Sequence, residues 1–150
     1  MPELRWFWMT SLPETAAKAA KQLWKSKPGM DLWITKARKP EWLAQNLDNP
    51  FRGWDGAEHI PASAAKKAAD QYRKTRSLLM KLAAKPDESA QIQALEAVSA
   101  YTQTFNKMRF IETEERDEIY MALCNMLDAL PDDVLKKSEL LEKFEQLRDF

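Results

Sequence analysis

The 150-residue sequence contains one cysteine, one histidine and three glycines. A single Cys excludes an internal disulfide framework and any metal site built from cysteines. A single His removes the two-histidine metal sites and most histidine-based acid–base constellations. Gly29, Gly53 and Gly56 do not have the spacing of a phosphate-cradling glycine loop. No apolar run approaches the ~20 residues of a membrane span, and no signal-peptide pattern opens the chain. The expected compartment is therefore the cytoplasm, with no membrane partner. Net charge is lacking too, since 23 Lys+Arg face 23 Asp+Glu.

What remains is the composition of an ordinary globular chain, 45% hydrophobic and 31% charged. A chain of this length is expected to form one domain over residues 1–150, burying roughly two-thirds of its unfolded surface. The neutral total conceals an asymmetry. Residues 1–85 carry 16 Lys+Arg against 8 Asp+Glu, and residues 86–150 carry 7 against 15. The first block is thus basic by eight charges and the second acidic by eight, which favours steering of a charged partner more than the total suggests. All six Trp lie between Trp6 and Trp54, so the basic block is also the aromatic one.

Proline punctuates a helical pattern. Ser11-Leu-Pro-Glu14 reads as a capping box opening a helix over 13–25. Pro40 suits the first turn of a short helix carrying Trp42, Leu43 and Leu47. Residues 49–60, with Pro50, Gly53 and Gly56, read as a loop holding Phe51 and Trp54. Residues 61–84 contain no internal Pro or Gly, and Ala65, Ala68, Tyr72, Leu79 and Leu82 recur at helical spacing. Asp87 caps a second long helix with a stripe of Leu95, Val98, Tyr101 and Phe105. Thr113 caps a third, whose stripe is Ile119, Leu123, Met126, Leu127 and Leu130. Pro131 opens a last segment in which Leu140, Phe144 and Leu147 align. Residues 4–9 and 31–35 are short, bulky and aromatic, which fits a small two-stranded ribbon. A further short helix over 30–38 competes with it. The expected class is all-α, a single-domain bundle of five to six helices, with the N-terminal β-ribbon as its only sheet.

Three constellations bear on function. The acidic run Glu112, Glu114, Glu115, Asp117 and Glu118 stands at the start of the third long helix, where carboxylates offset the macrodipole. Glu114-Glu115-x-x-Glu118 followed by Glu139-x-x-Glu142 is similar to the paired acidic motifs of the all-α nucleoside triphosphate pyrophosphatases. That likeness implies Mg²⁺ on carboxylates such as Glu115 and Glu118. At ~100° per residue, however, Glu139 and Glu142 point away from the Leu140 stripe, and the motif's closing Asp is replaced by Glu142. Lys66, Lys67, Arg73, Lys74, Lys81 and Lys85 lie on one side of helix 61–85, a face suited either to solvent or to phosphates. The neutral total and the lack of a reading motif disfavour nucleic acid as the partner. Trp54, in its loop, is the best candidate for an exposed aromatic anchor. His59 reads as a structural or solvated residue, and Cys124 as a packed one.

With no nucleophile motif and no cofactor loop, binding is favoured over catalysis, and no cofactor is expected. The stretch 106–118, Asn-Lys-Met-Arg-Phe-Ile-Glu-Thr-Glu-Glu-Arg-Asp-Glu, leading into an Ile/Ala/Leu helix, resembles bacterial immunity proteins of polymorphic toxins. The resemblance implies a one-to-one complex with a cognate protein toxin. In such a complex Glu112, Glu114, Glu115, Asp117, Glu118 and Trp54 would form the partner-binding surface, and the carboxylates would occlude a cationic cleft.

Overall fold

A computed structural model describes residues 6–150, which fall into two compact units, 6–48 and Asn49–Phe150. Among the described residues there are six helices and one two-stranded sheet. The chain is thus mostly α, with a short ribbon near its N-terminus. No helix among these residues is long and apolar enough to cross a membrane.

The first unit runs β1 (Trp6–Thr10), α1 (Glu14–Trp24), β2 (Asp31–Thr35) and α2 (Pro40–Asn46). Leu4 and Arg5, the start of the expected ribbon, lie outside the described residues. The two strands pair in parallel, with Trp6 opposite Asp31, Trp8 opposite Trp33 and Thr10 opposite Thr35. Parallel partners need a crossover between them, and α1 supplies it, so the ribbon is a βαβ unit. The alternative helix over 30–38 is not formed, because Leu32, Trp33 and Ile34 are bulky residues that suit a pleated strand. Phe7 stacks on Trp24 of α1 at 5.9 Å between ring centres, and the Trp8 indole donates to Thr35 Oγ1. Ala17 is the one buried residue of this unit among those described.

The expected capping box at Ser11 does not form. Ser11 takes a left-handed backbone (φ 57°), and Pro13 occupies the cap position without a side-chain bond. The Glu14 amide donates instead to the carbonyl of Arg38. Strand pairing that continues past β1 and β2, through Arg38 N–H to Leu12 O at 2.8 Å, overrides the local motif.

The second unit is a bundle of α3 (Ala62–Ala84), α4 (Ala90–Asn106), α5 (Thr113–Asp128) and α6 (Lys137–Leu147). Every residue named in the expected stripes of α3 and α5 is buried, as are Val98, Tyr101 and Phe105 of α4. Leu95 and Leu147 are half-buried. Small residues on the inner faces of α3 and α4, including Ala65, Ala68, Ala94 and Ala97, let these helices approach closely. Tyr101 ties α4 to α5 by donating its hydroxyl to Ile119 O at 2.8 Å. Asp87 does not cap α4 as expected: the cap position is Ser89, without a side-chain cap bond, and Asp87 accepts the Ser89 amide in a turn just before it. Two other helix starts are shifted. Glu112, not Thr113, is the residue preceding α5. The last helix begins at Lys137 rather than near Pro131, because residues 132–134 form a turn. The changeover from basic to acidic composition at Pro86 falls inside this unit, between α3 and α4.

Candidate functional site

The start of α5 divides the acidic run by exposure into two adjoining sets. Residues three apart on a helix share a side, so Glu114 and Asp117 lie on the solvent side while Glu115 and Glu118 lie next to them on the side turned toward the bundle. Glu114 and Asp117 are exposed, Glu115 is 5% exposed and Glu118 is half-buried. Glu112 is exposed and caps the helix. Its carboxylate accepts the Glu115 amide, and the Glu115 carboxylate accepts the Glu112 amide at 2.9 Å. The resulting capping box satisfies two helix-end donors reciprocally.

The inward pair is bound to the segment before α3. His59 Nε2 and Glu115 Oε1 are 2.7 Å apart, and the Trp54 indole N–H donates to Glu118 Oε2. The hydrogen bond to Glu115, aided by the charges of Glu112 and Glu114, raises the His59 pKa above 6.5 against a smaller desolvation effect. Burial pushes the Glu115 carboxyl up. The hydrogen bond from His59 and the backbone amides of Glu112 and Glu115 outweigh it, so the group sits below its usual 4.5. Burial dominates at Glu118 and raises its pKa, with the neighbouring carboxylates adding to the rise and the indole bond opposing it.

Trp54 is therefore not the exposed anchor its loop position suggests. It is 2% exposed, packed at 4.8 Å from Phe51, 6.0 Å from Phe105 and 5.5 Å from Phe110. The loop is short but folded, with a 3₁₀ turn over Arg52–Trp54 and Asn49 Oδ1 accepting the Phe51 amide. Burial of the large indole body, with its N–H satisfied by a carboxylate, explains the placement. The site residue missed in the sequence was His59, since nothing local to residue 59 points to a partner 56 positions away.

The pyrophosphatase-like carboxylates do not converge. Glu115 and Glu118 are engaged by His59 and Trp54, whereas Glu139 binds Lys136 and Gln91. No group of three His, Cys, Asp or Glu among the described residues is placed to hold a metal ion. Lys66, Lys67, Arg73, Lys74, Lys81 and Lys85 are all exposed along α3, and Arg73 lies 3.4 Å from Asp70. Cys124 is half-buried.

The arrangement amounts to a braced helix end. Its outer side presents carboxylates to solvent, and its inner side is pinned to an aromatic core by two charged hydrogen bonds. Compared with known proteins, the chain matches no protein family, no curated protein and no solved structure.

Proposed function

We propose that this chain is a non-catalytic inhibitor, an immunity protein that neutralises a cognate bacterial toxin by laying the start of α5 over a cationic surface of that protein. The observation carrying this reading is the exposed set Glu112, Glu114 and Asp117 on a helix whose adjoining carboxylates, Glu115 and Glu118, are locked by His59 and Trp54. Carboxylates held on a rigid element retain their spacing on binding, so little ordering entropy opposes association. Their charge steers a basic partner and disfavours neutral or acidic ones. Glu115, Glu118 and Trp54 act behind this surface as its support. The partner is met in the cytoplasm, and neither a cofactor nor a membrane takes part.

The test is co-expression with the toxin encoded beside the gene, followed by isolation of the complex. Protection and a one-to-one complex are expected, with association slowed about tenfold or more in Glu114→Lys/Asp117→Lys and increasingly slowed by salt in the parent. An absence of protection, or protection and association rate untouched by the double reversal, would reject the proposal.

A further inference from the structure

On the side of α3's first turn lies a cavity of about 580 Å³, bounded by that turn and by the segment linking α4 to α5. Its size falls in the range of small-molecule sites. Lys67, Lys107 and Arg109 line it, and no Asp or Glu does. None of these three cations is in an ion pair among the described residues, so their charge is available to a ligand. The first amides of α3, at Ala62 and Ser63, have no earlier turn of helix to pair with, and the positive end of a 23-residue helix dipole adds to the field there. The rest of the lining includes Met108 and Phe110, an apolar pair suited to a flat ring: a thioether makes favourable contacts with aromatics, and rings pack edge to face.

We propose that this cavity binds a small phosphate monoester with an aromatic body. The dianionic head sits among Lys67, Lys107, Arg109 and the start of α3, and the ring lies against Met108 and Phe110. Phosphate suits this end because its several acceptor oxygens match several separate donors and helix-end amides, where a carboxylate has only two. An aromatic body suits the other end because the wall is apolar and contains a ring. A cation or a neutral sugar finds no acidic partner in the lining. His59 also lines the cavity and binds Glu115, so the site adjoins the inner side of the α5 start. The exposed Glu114 and Asp117 are not in its lining, and ligand binding is therefore tested apart from any inhibitory role.

The test is calorimetric titration of the full chain with adenosine monophosphate, inorganic phosphate and adenosine. The monophosphate should bind about tenfold or more tightly than either half, because head and ring contribute together. Lys107→Gln/Arg109→Gln should weaken it about tenfold or more, with thermal unfolding little changed because both residues are exposed and no carboxylate is placed at the end of α4. Lys74→Glu, in a different groove of α3, should leave it unchanged. No binding of the monophosphate at millimolar concentration overturns the proposal, as does undiminished binding by the double variant. Equal affinity for inorganic phosphate, or an equal loss in Lys74→Glu, also overturns it, since the first denies the ring a role and the second denies the cavity one.

Discussion

His59 Nε2 and Glu115 Oε1 meet at 2.7 Å across 56 residues of sequence, joining the segment before α3 to the cap of α5. The imidazole is about half exposed while the carboxylate is almost fully covered. One partner therefore samples solvent pH and the other holds a helix end.

This pair makes stability depend on pH at two edges. The His59 pKa is raised above 6.5, so its contribution is complete below that value and fades as pH rises through the raised one. The Glu115 pKa is lowered below 4.5, so its contribution is complete above that value and fades as pH falls through the lowered one. Urea denaturation across pH should show the greatest gain over His59→Ala between these edges. In the proton NMR titration of His59, the midpoint should lie above 6.5 and drop in Glu115→Gln.

Replacing Glu115 separates its two duties. Glu115→Gln keeps a side chain able to accept the Glu112 amide, as Gln does in capping boxes, and should cost less than Glu115→Ala. The alanine variant loses both the box and the His59 contact, a destabilisation of about 1–2 kcal/mol by chemical denaturation. Equal losses in the two variants would assign the whole effect to the ion pair.

Trp54 is expected to be among the most sensitive positions in the bundle. Trp54→Ala should cost about 3–5 kcal/mol through the cavity left between Phe51, Phe105 and Phe110. Trp54→Phe fills most of that space but leaves Glu118 without its indole donor, a loss of about 1–3 kcal/mol. A second change, Glu118→Leu, should recover part of the loss in Trp54→Phe while destabilising the parent chain, which a double-mutant cycle would measure.

The Tyr101 hydroxyl is fully buried and donates to Ile119 O. Tyr101→Phe removes the donor with little change of shape and should cost about 1 kcal/mol, since one buried hydrogen bond between α4 and α5 is lost while the Ile119 carbonyl keeps its place in the helix. Burial raises the Tyr101 pKa well above 10, so alkaline titration should not ionise it before unfolding begins.

The helices of the second unit could be read from their apolar periodicity because each buries one stripe, and the stripe is a local property. Helix starts were less legible. Ser11, Thr113 and Pro131 carry local signals that lost to a strand carbonyl, to a Glu112–Glu115 box and to a turn respectively. The parallel pairing of β1 and β2 was hidden because bulky aromatic runs specify a strand but not the direction of its partner. At the site, the acidic run was visible but its division into outward and inward sets was not. That division depends on what packs against α5, and neither His59 nor Trp54 is near it in sequence. The cavity was invisible for the same reason: Lys67 and Lys107 become neighbours of one space only when α3 packs against α4.

The burial of Trp54 gives the chain a built-in optical label. The other five indoles belong to the unit ending at Asp48, and Trp6, Trp8 and Trp33 are more than half exposed. Emission from the native chain therefore mixes three exposed and two half-buried indoles, Trp24 and Trp42, with one apolar indole beside a carboxylate. Subtracting the spectrum of a folded Trp54→Phe variant isolates that single emitter, and its red shift with denaturant reports melting of the bundle while the five indoles of the first unit are cancelled.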